Sequence, residues 1–327
     1  MQLDRRHGIS FNRGENTPGA IVSIVEIVPC LIGRVARALG AATQEKLAFA
    51  HFSFHYRLME KQATHLLLTR FNTASDFAPA RAGLQTEWLT SRIALFEQYC
   101  MPSVAGQQGA DFHWLVFFDA ASPAWLREKI ASYGSLLKPI YIDGEATDQV
   151  IVDSVVATGL VRSPYLVTTR LDNDDALAKN HLARVKEAFS YQEKEFIEFP
   201  FGLQSYRGHL YQVYWPSNPF LSLIEKVQSG NRFTTVLCVP HNRVRTAGPV
   251  KSIWCSAQWL QVLHGSNLAN ALRGWPRLRS RSHPGFPFYR PEAASGDSIA
   301  NRIRFSAAGC GTRASKLSGS LSARLAR

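Results

Sequence analysis

The sequence predicts an α/β fold: a mostly parallel sheet flanked by helices, with a small antiparallel extension. Three observations carry this. Apolar runs alternate with helix-spaced stretches from His65 to Phe189, the runs end in polar residues, and beyond Glu195 the runs shorten between Gly, Pro and Asn turns.

Taken in order, His65–Phe71 is a strand apolar on both faces that ends at Asn72. Trp88–Cys100 carries Leu89, Ile93, Phe96 and Cys100 on one helical face, and Pro102 is expected to close it. Phe112–Phe118 is a second buried strand, ending in Asp119. Ser122 then reads as an N-cap with Pro123 at the first helical position, and Leu126, Ile130 and Tyr133 face inward. Lys138–Asp143 is a third strand, and Thr147 caps a helix carrying Ile151, Val155 and Thr158. Tyr165–Leu171 is the fourth strand. Asp175 stands at an N-cap position, with Leu177, Leu182, Val185 and Phe189 forming the apolar face of the helix after it. A sheet wound this way takes ligands at the carboxyl ends of its strands, where Asn72, Asp119 and Asp172 fall. Phe196–Phe201, Gly208–Trp215 and Thr234–Val239 are expected as short strands of the extension, followed by the aromatic run Trp254–His264.

This ordered pattern occupies residues 59–275. Residues 1–58 read as an extension that need not be native, since Met59 stands directly before the regular pattern. Residues 276–327, rich in Arg, Ser, Gly and Ala, read as a basic tail, disordered or loosely docked. The net charge of +12 sits in these ends: residues 1–58 contribute +3 and residues 268–327 contribute +9, which leaves residues 59–267 neutral. A neutral body argues against nucleic acid as a partner. An anionic membrane surface would suit the tail, although an inert tail is the simpler reading. The five cysteines are widely spaced and form no C-x-x-C pair, so reduced thiols in the cytoplasm are expected. The best candidate for a membrane span, Ala20–Ile32, is too short to cross a bilayer and is interrupted by Glu26 and Pro29.

The stretch Tyr165–Leu177, YLVTTRLDNDDAL, carries the chemistry. On an extended segment, Asp172 and Asp174 project to one side and can converge on a hard cation. The bland alternative is a solvated acidic turn that starts a helix. An EF-hand is excluded, because Leu177 stands where that loop requires Gly.

A D-x-D at a strand end, after strand–helix–strand–Asp, resembles the GT-A (Rossmann-like) nucleotide-sugar glycosyltransferases. More closely, the chain resembles a bacterial rhamnosyltransferase family. The segments that carry the likeness are TRFN (Thr69–Asn72), CMPSVAGQ (Cys100–Gln107), WLVFFD (Trp114–Asp119), TTRLDNDDAL (Thr168–Leu177), SNPFLSLIE (Ser217–Glu225) and WLQVLHGSN (Trp259–Asn267). The resemblance extends over roughly residues 61–275, with these segments in the expected order. The resemblance implies that Asp119 holds the nucleotide, with Asn72 and Arg170 beside it, Arg170 facing phosphate. It implies that Asp172 and Asp174 bind Mg²⁺ or Mn²⁺, with His264 as a late metal or phosphate contact. Each has a plainer alternative: a helix-capping Asp119, a sheet-edge ion pair for Arg170, a structural His264.

An inverting transfer also needs a general base. After Glu198 the only acids are Glu225, Glu292 and Asp297, so Glu225 is the candidate by elimination, with Glu195 and Glu198 as rivals. Trp215, Phe220, Trp254 and Trp259 are candidates for sugar stacking, though more of them should be core. His241 and Arg243 are polar candidates without an assigned role. The implied partners are a nucleotide-diphosphate sugar, with L-rhamnose or another deoxyhexose as the sugar, and a saccharide or glycolipid acceptor of polysaccharide synthesis. The competing readings are a non-catalytic sugar- or nucleotide-binding relative and a sugar nucleotidyltransferase; the latter lacks a Gly-rich phosphate loop near the first strand.

Overall fold

Leu66, Leu67 and Leu68 are all fully buried, because the strand they belong to, β1 (Ala63–Arg70), is covered on both faces. The structure is a computed structural model and describes residues 62–74, 82–264, 271–274, 277–278, 280 and 282–290. The chain divides into two compact units, Met1–Met59 and Glu60–Arg327. The described residues belong to the second, and the expectations for 1–58 and 291–327 lie outside them.

After β1 come α1 (Thr86–Leu95), α2 (Met101–Ala105), β2 (His113–Asp119), α3 (Ala124–Ala131), β3 (Lys138–Ile142), α4 (Asp148–Ala157) and β4 (Tyr165–Arg170). The chain continues through β5 (Ala176–Leu177), α5 (His181–Glu187), β6 (Lys194–Glu198), β7 (Phe201–Tyr206), β8 (His209–Tyr214) and β9 (Ser222–Lys226). Last are α6 (Val244–Ala247), β10 (Val250–Ser252) and β11 (Trp259–Leu263). A seven-stranded sheet runs β10–β6–β9–β4–β1–β2–β3, and a four-stranded sheet runs β5–β11–β7–β8. In the large sheet only β9 is reversed; it lies antiparallel between β4 and β6. The fold is therefore the expected α/β one, a mostly parallel sheet flanked by helices. One face of the sheet buries Leu66, Leu68, Leu115 and Phe117 against Ile151 and Val155 of α4. On the other face Phe96 meets Phe71 and Trp114 at 5.4 Å each.

Several sequence expectations need correction. Pro102 does not close the first helix. The helix widens into a π turn over Phe96–Cys100, where the Met101 N–H reaches back to Phe96 O, and Pro102 falls in the first turn of α2. A missing N–H costs nothing there. Ser122 is not a cap: Pro123 takes the N-cap place of α3, and the Ser122 hydroxyl instead accepts from Asn72 at 3.1 Å. Asp175 starts no helix, since its carboxylate accepts the Val262 N–H at 2.8 Å and Ala176–Leu177 pairs with β11; the helix begins at His181. Thr234–Val239 is not a strand, because its amides turn to side chains: Thr234 and Thr235 to Glu225, Val236 to Thr168. The extension is a mixed sheet, in which β7 and β8 form an antiparallel hairpin while β11 runs parallel to β7. Part of the expected tail is packed: Phe286 and Tyr289, 1% and 2% exposed, join Leu203, Leu210 and Leu260 in a second core.

Among the stacking candidates, Phe220 and Trp259 are core. Their rings stack at 4.8 Å, and the Trp259 indole N–H donates to Phe199 O at 2.8 Å. No helix among the described residues is long and apolar enough to cross a membrane.

Candidate active site

The carboxyl ends of β1, β2 and β4 lie side by side, because the three strands are parallel neighbours in the sheet. Asn72 follows β1, Asp119 ends β2, and Arg170 ends β4 immediately before the acidic turn. Sheet geometry thus gathers polar groups separated by about a hundred residues.

The acidic turn is built one residue at a time. Leu171–Asp175 is not extended: Asn173 and Asp174 form a turn closed by the Asp175 N–H on Asp172 O at 3.2 Å. The alternation that would aim Asp172 and Asp174 at one ion therefore does not apply, and the two carboxylates take separate partners. Asp172 receives Arg170 through both oxygens, at 3.0 and 2.9 Å from Nη2. Asp174 Oδ2 lies 2.5 Å from Arg92 Nη1 of α1 and 2.9 Å from His264 Nε2. Asn173 donates to Phe71 O at 2.6 Å and Arg70 O at 3.2 Å, which fastens the turn to the end of β1. Gln107 fastens its far side, donating to Ala178 O and accepting the Leu182 N–H.

The electrostatics are mixed. Burial would raise the Asp172 pKa, but Arg170, Arg70 and His241 outweigh it and hold the carboxyl below the usual range. Asp175 goes the other way: burial, then the charges of Asp174 and Asp172, push it well above. Arg70 is lowered by burial first and then by the charge of Arg170 on the neighbouring strand, with Asp172 and Asp148 opposing. Arg70 makes no side-chain hydrogen bond or ion pair among the described residues, whereas Arg170 is raised, its burial outweighed by Asp172.

The predicted site residues fare differently. Asp119 is buried with one oxygen accepting the Ala121 N–H at 2.7 Å, so it shapes its own turn rather than capping the helix at Ala124. Asn72 clamps β1 to β2: its oxygen accepts the Asp119 N–H at 3.1 Å, and its amide donates to Gly83 O and the Ser122 hydroxyl. Both amide hydrogens are thus committed inside the protein, and one lone pair of the oxygen remains for a ligand.

Glu225 is not brought to the site at all. It pairs with Leu166 near the start of β4, six residues before Asp172, or roughly 20 Å along a strand. Its carboxylate is consumed by Thr234 and Thr235. Of the rivals, Glu195 pairs with Ile224 near the same far end of the sheet. Glu198 is fully buried and bonded to Arg245, Ser252 and the Ser217 N–H.

For a divalent cation, Asp174 and His264 converge, while Asp172 is held away by Arg170. Among the described residues no group of three or more His, Cys, Asp or Glu is placed to hold a metal ion. In this arrangement the Asp174 Oδ2 that faces His264 is shared with Arg92.

Sequence reasoning passed over Arg70, Arg92 and Arg273 and left His241 without a role. Arg70 was legible as the charged member of TRFN at a strand end. His241 and Arg273 come together only through tertiary contacts: Trp215 meets the His241 ring at 5.6 Å, edge to face, and carries the Arg273 guanidinium at 4.4 Å. Trp254 lies on the surface, 65% exposed, stacked on Tyr214 at 5.8 Å.

A family model described as "Putative rhamnosyl transferase" matches residues 65–275, more than half of the chain. A search of curated proteins found no match. Among solved structures, S. aureus TarS 1–349 is 11% identical, with 61% of this chain and 60% of that chain covered, at a TM-score of 0.36. The same TarS chain in complex with UDP-GlcNAc is 8% identical, covering 63% and 60%, at 0.38. A protein from Desulfovibrio desulfuricans G20 described as a "putative nucleotide-diphospho-sugar transferase" is 10% identical, covering 61% and 80%, at 0.32. This chain therefore spans less than two thirds of the TarS chain it matches, and the family match alone carries the assignment.

Proposed function

The chain belongs to the rhamnosyl transferase family, and from that premise we propose that it transfers a deoxyhexose, L-rhamnose or a close relative, from a nucleotide diphosphate to a saccharide or glycolipid acceptor with inversion. The observation that supports this reading is the paired guanidiniums of Arg70 and Arg170 at the ends of β1 and β4. Among the described residues Arg70 makes no side-chain hydrogen bond or ion pair, only longer-range attraction to Asp172 and Asp148, and an anion beside it and Arg170 would relieve their mutual repulsion. A diphosphate has the charge and the spread of oxygens to occupy that position, and guanidiniums bind it bidentately.

Asp119, beside them at the end of β2, is the group for the nucleoside. Asp172 orients Arg170 and accepts hydroxyl hydrogen bonds rather than holding the metal. Asp174 and His264 would hold Mg²⁺ or Mn²⁺, which supplies Lewis-acid neutralisation of the departing diphosphate.

A thermal-shift panel of nucleoside diphosphates and nucleotide sugars, nucleotide-activated L-rhamnose among them, tests the reading with and without Mn²⁺. We expect at least one to raise Tm, more so with metal, and Arg70→Met to lose most of that gain. If no nucleotide moves Tm in either condition, the proposal fails.

A further inference from the structure

We propose that His241 is the catalytic base of this site, taking the proton of the acceptor hydroxyl that attacks the donor sugar; this rests on the transferase reading above. Among the described residues none of the three acids considered as base reaches the site: Glu225 and Glu195 lie at the far end of the sheet, and Glu198 is buried and bonded to Arg245, Ser252 and the Ser217 N–H. His241 opens a short 3-10 turn, His241–Arg243, that leads into α6.

Its ring is fixed at one end. Nδ1 lies 2.6 Å from Ser217 O, and a carbonyl can only accept, so Nδ1 carries the hydrogen and the Nε2 lone pair is left for a proton. Ser217 is itself held: it adopts φ 53°, and its N–H donates to Glu198 at 2.6 Å. The same buried carboxylate receives Arg245 of α6 at 2.8 Å, so both sides of the His241 turn hang on Glu198. Glu198 is thereby a positioning residue, and that explains a fully buried acid on β6.

The surroundings suit a neutral imidazole. Trp215 stands against the ring edge to face, half-buried, with the Arg273 guanidinium over its own ring, so an aromatic wall and a cation lie beside the imidazole. The Arg170 N–H donates to Leu221 O at 2.9 Å, so the Ser217–Leu221 segment that holds His241 runs beside the end of β4; the charged groups that act on the ring are Arg170 and Asp172 from that strand end and Arg273 above Trp215. Burial and the two arginines keep the imidazole below its ordinary pKa, with the Ser217 bond and Asp172 opposing, so it is neutral at pH 7.

In the step, the acceptor oxygen bonds to the anomeric carbon as its proton passes to Nε2. The anomeric C–O bond to the diphosphate breaks, and the nucleoside diphosphate leaves with the electron pair. The imidazolium then returns its proton to water.

His241→Asn keeps a donor for Ser217 O and removes Nε2. Nucleoside diphosphate release from the best nucleotide sugar of the panel should fall at least about 100-fold, with the nucleotide-induced Tm shift unchanged. In His241→Ala, added imidazole should restore part of the rate, which a merely structural role would not allow. Turnover of His241→Asn within about threefold of wild type, or no imidazole rescue, overturns the assignment while leaving the transferase reading standing. A wild-type protein that releases nucleoside diphosphate from no nucleotide sugar overturns both.

Discussion

Replacing Glu225 by Gln should cost stability and leave turnover intact. The carboxylate is 4% exposed and accepts three hydrogen bonds: the Thr234 N–H at 2.9 Å and hydroxyl at 3.0 Å on Oε2, and the Thr235 N–H at 3.0 Å on Oε1. Burial raises its pKa, and the Thr234 bonds and Lys194 offset part of that. Gln keeps one acceptor oxygen, so an NH₂ group must face an N–H that Glu225 now accepts. One hydrogen bond to a charged group contributes about 1.5–3 kcal/mol, and a mispaired buried donor adds its own desolvation. The smaller cost of burying a neutral amide subtracts from this, leaving a loss of about 2–4 kcal/mol. For a domain of this size that is a fall in Tm of roughly 5–15 °C. Calorimetry measures the fall, and nucleoside diphosphate release measured well below the new Tm checks the second half. A variant with wild-type Tm and no turnover would return Glu225 to the chemistry and refute its placement as a clamp on the Thr234–Thr235 turn.

Two further outcomes follow from the interior. His65 and His181 are buried neutral, lowered by burial to about 3 and about 4, with His181 and Lys186 adding to the effect on His65. Both titrate near 6.5 once unfolded, so the unfolded chain binds more protons below that pH. Their stabilisation is complete above about pH 6.5 and lost as pH falls towards the folded values; at pH 5 the two together should cost about 4 kcal/mol. Denaturant midpoints at pH 7 and pH 5 check this, and a midpoint insensitive to pH in the wild type would contradict it. Gly202→Ala would place a Cβ 2.1 Å from the Trp259 ring, which is stacked on Phe220, so a loss of about 1–3 kcal/mol from overpacking is expected in thermal unfolding.

The alternation of apolar runs and helical spacing was legible because each run is buried on both faces and so reads as unbroken. Thr147 behaves as a cap because capping is local, its hydroxyl accepting the Val150 N–H. What misled was the work of polar residues that act at a distance. Asp175 looks like an N-cap in sequence, yet its partner is Val262, 87 positions away. Asn72 looks like a ligand group at a strand end, yet it clamps Asp119. Glu225 was chosen by elimination, which ignores which end of the sheet a reversed strand presents. Strand β9 runs against β4, so its acid faces away from the ligand end, and no local pattern reveals a strand's direction.

Donor binding and turnover of Asp174→Asn, set against wild type with and without Mn²⁺, tests the central claim most directly. Asp174 alone meets both Arg92 and His264 at the end of the sheet that carries Arg70 and Arg170. The prediction is that wild type gains Tm with nucleotide sugar and more with Mn²⁺ and releases nucleoside diphosphate, while Asp174→Asn, which also leaves Arg92 without its carboxylate and so lowers Tm, loses the metal increment and the release measured well below that Tm. A variant that keeps both the Mn²⁺-dependent shift and wild-type turnover would show that the acidic turn only starts the chain towards α5 and holds no part of the reaction.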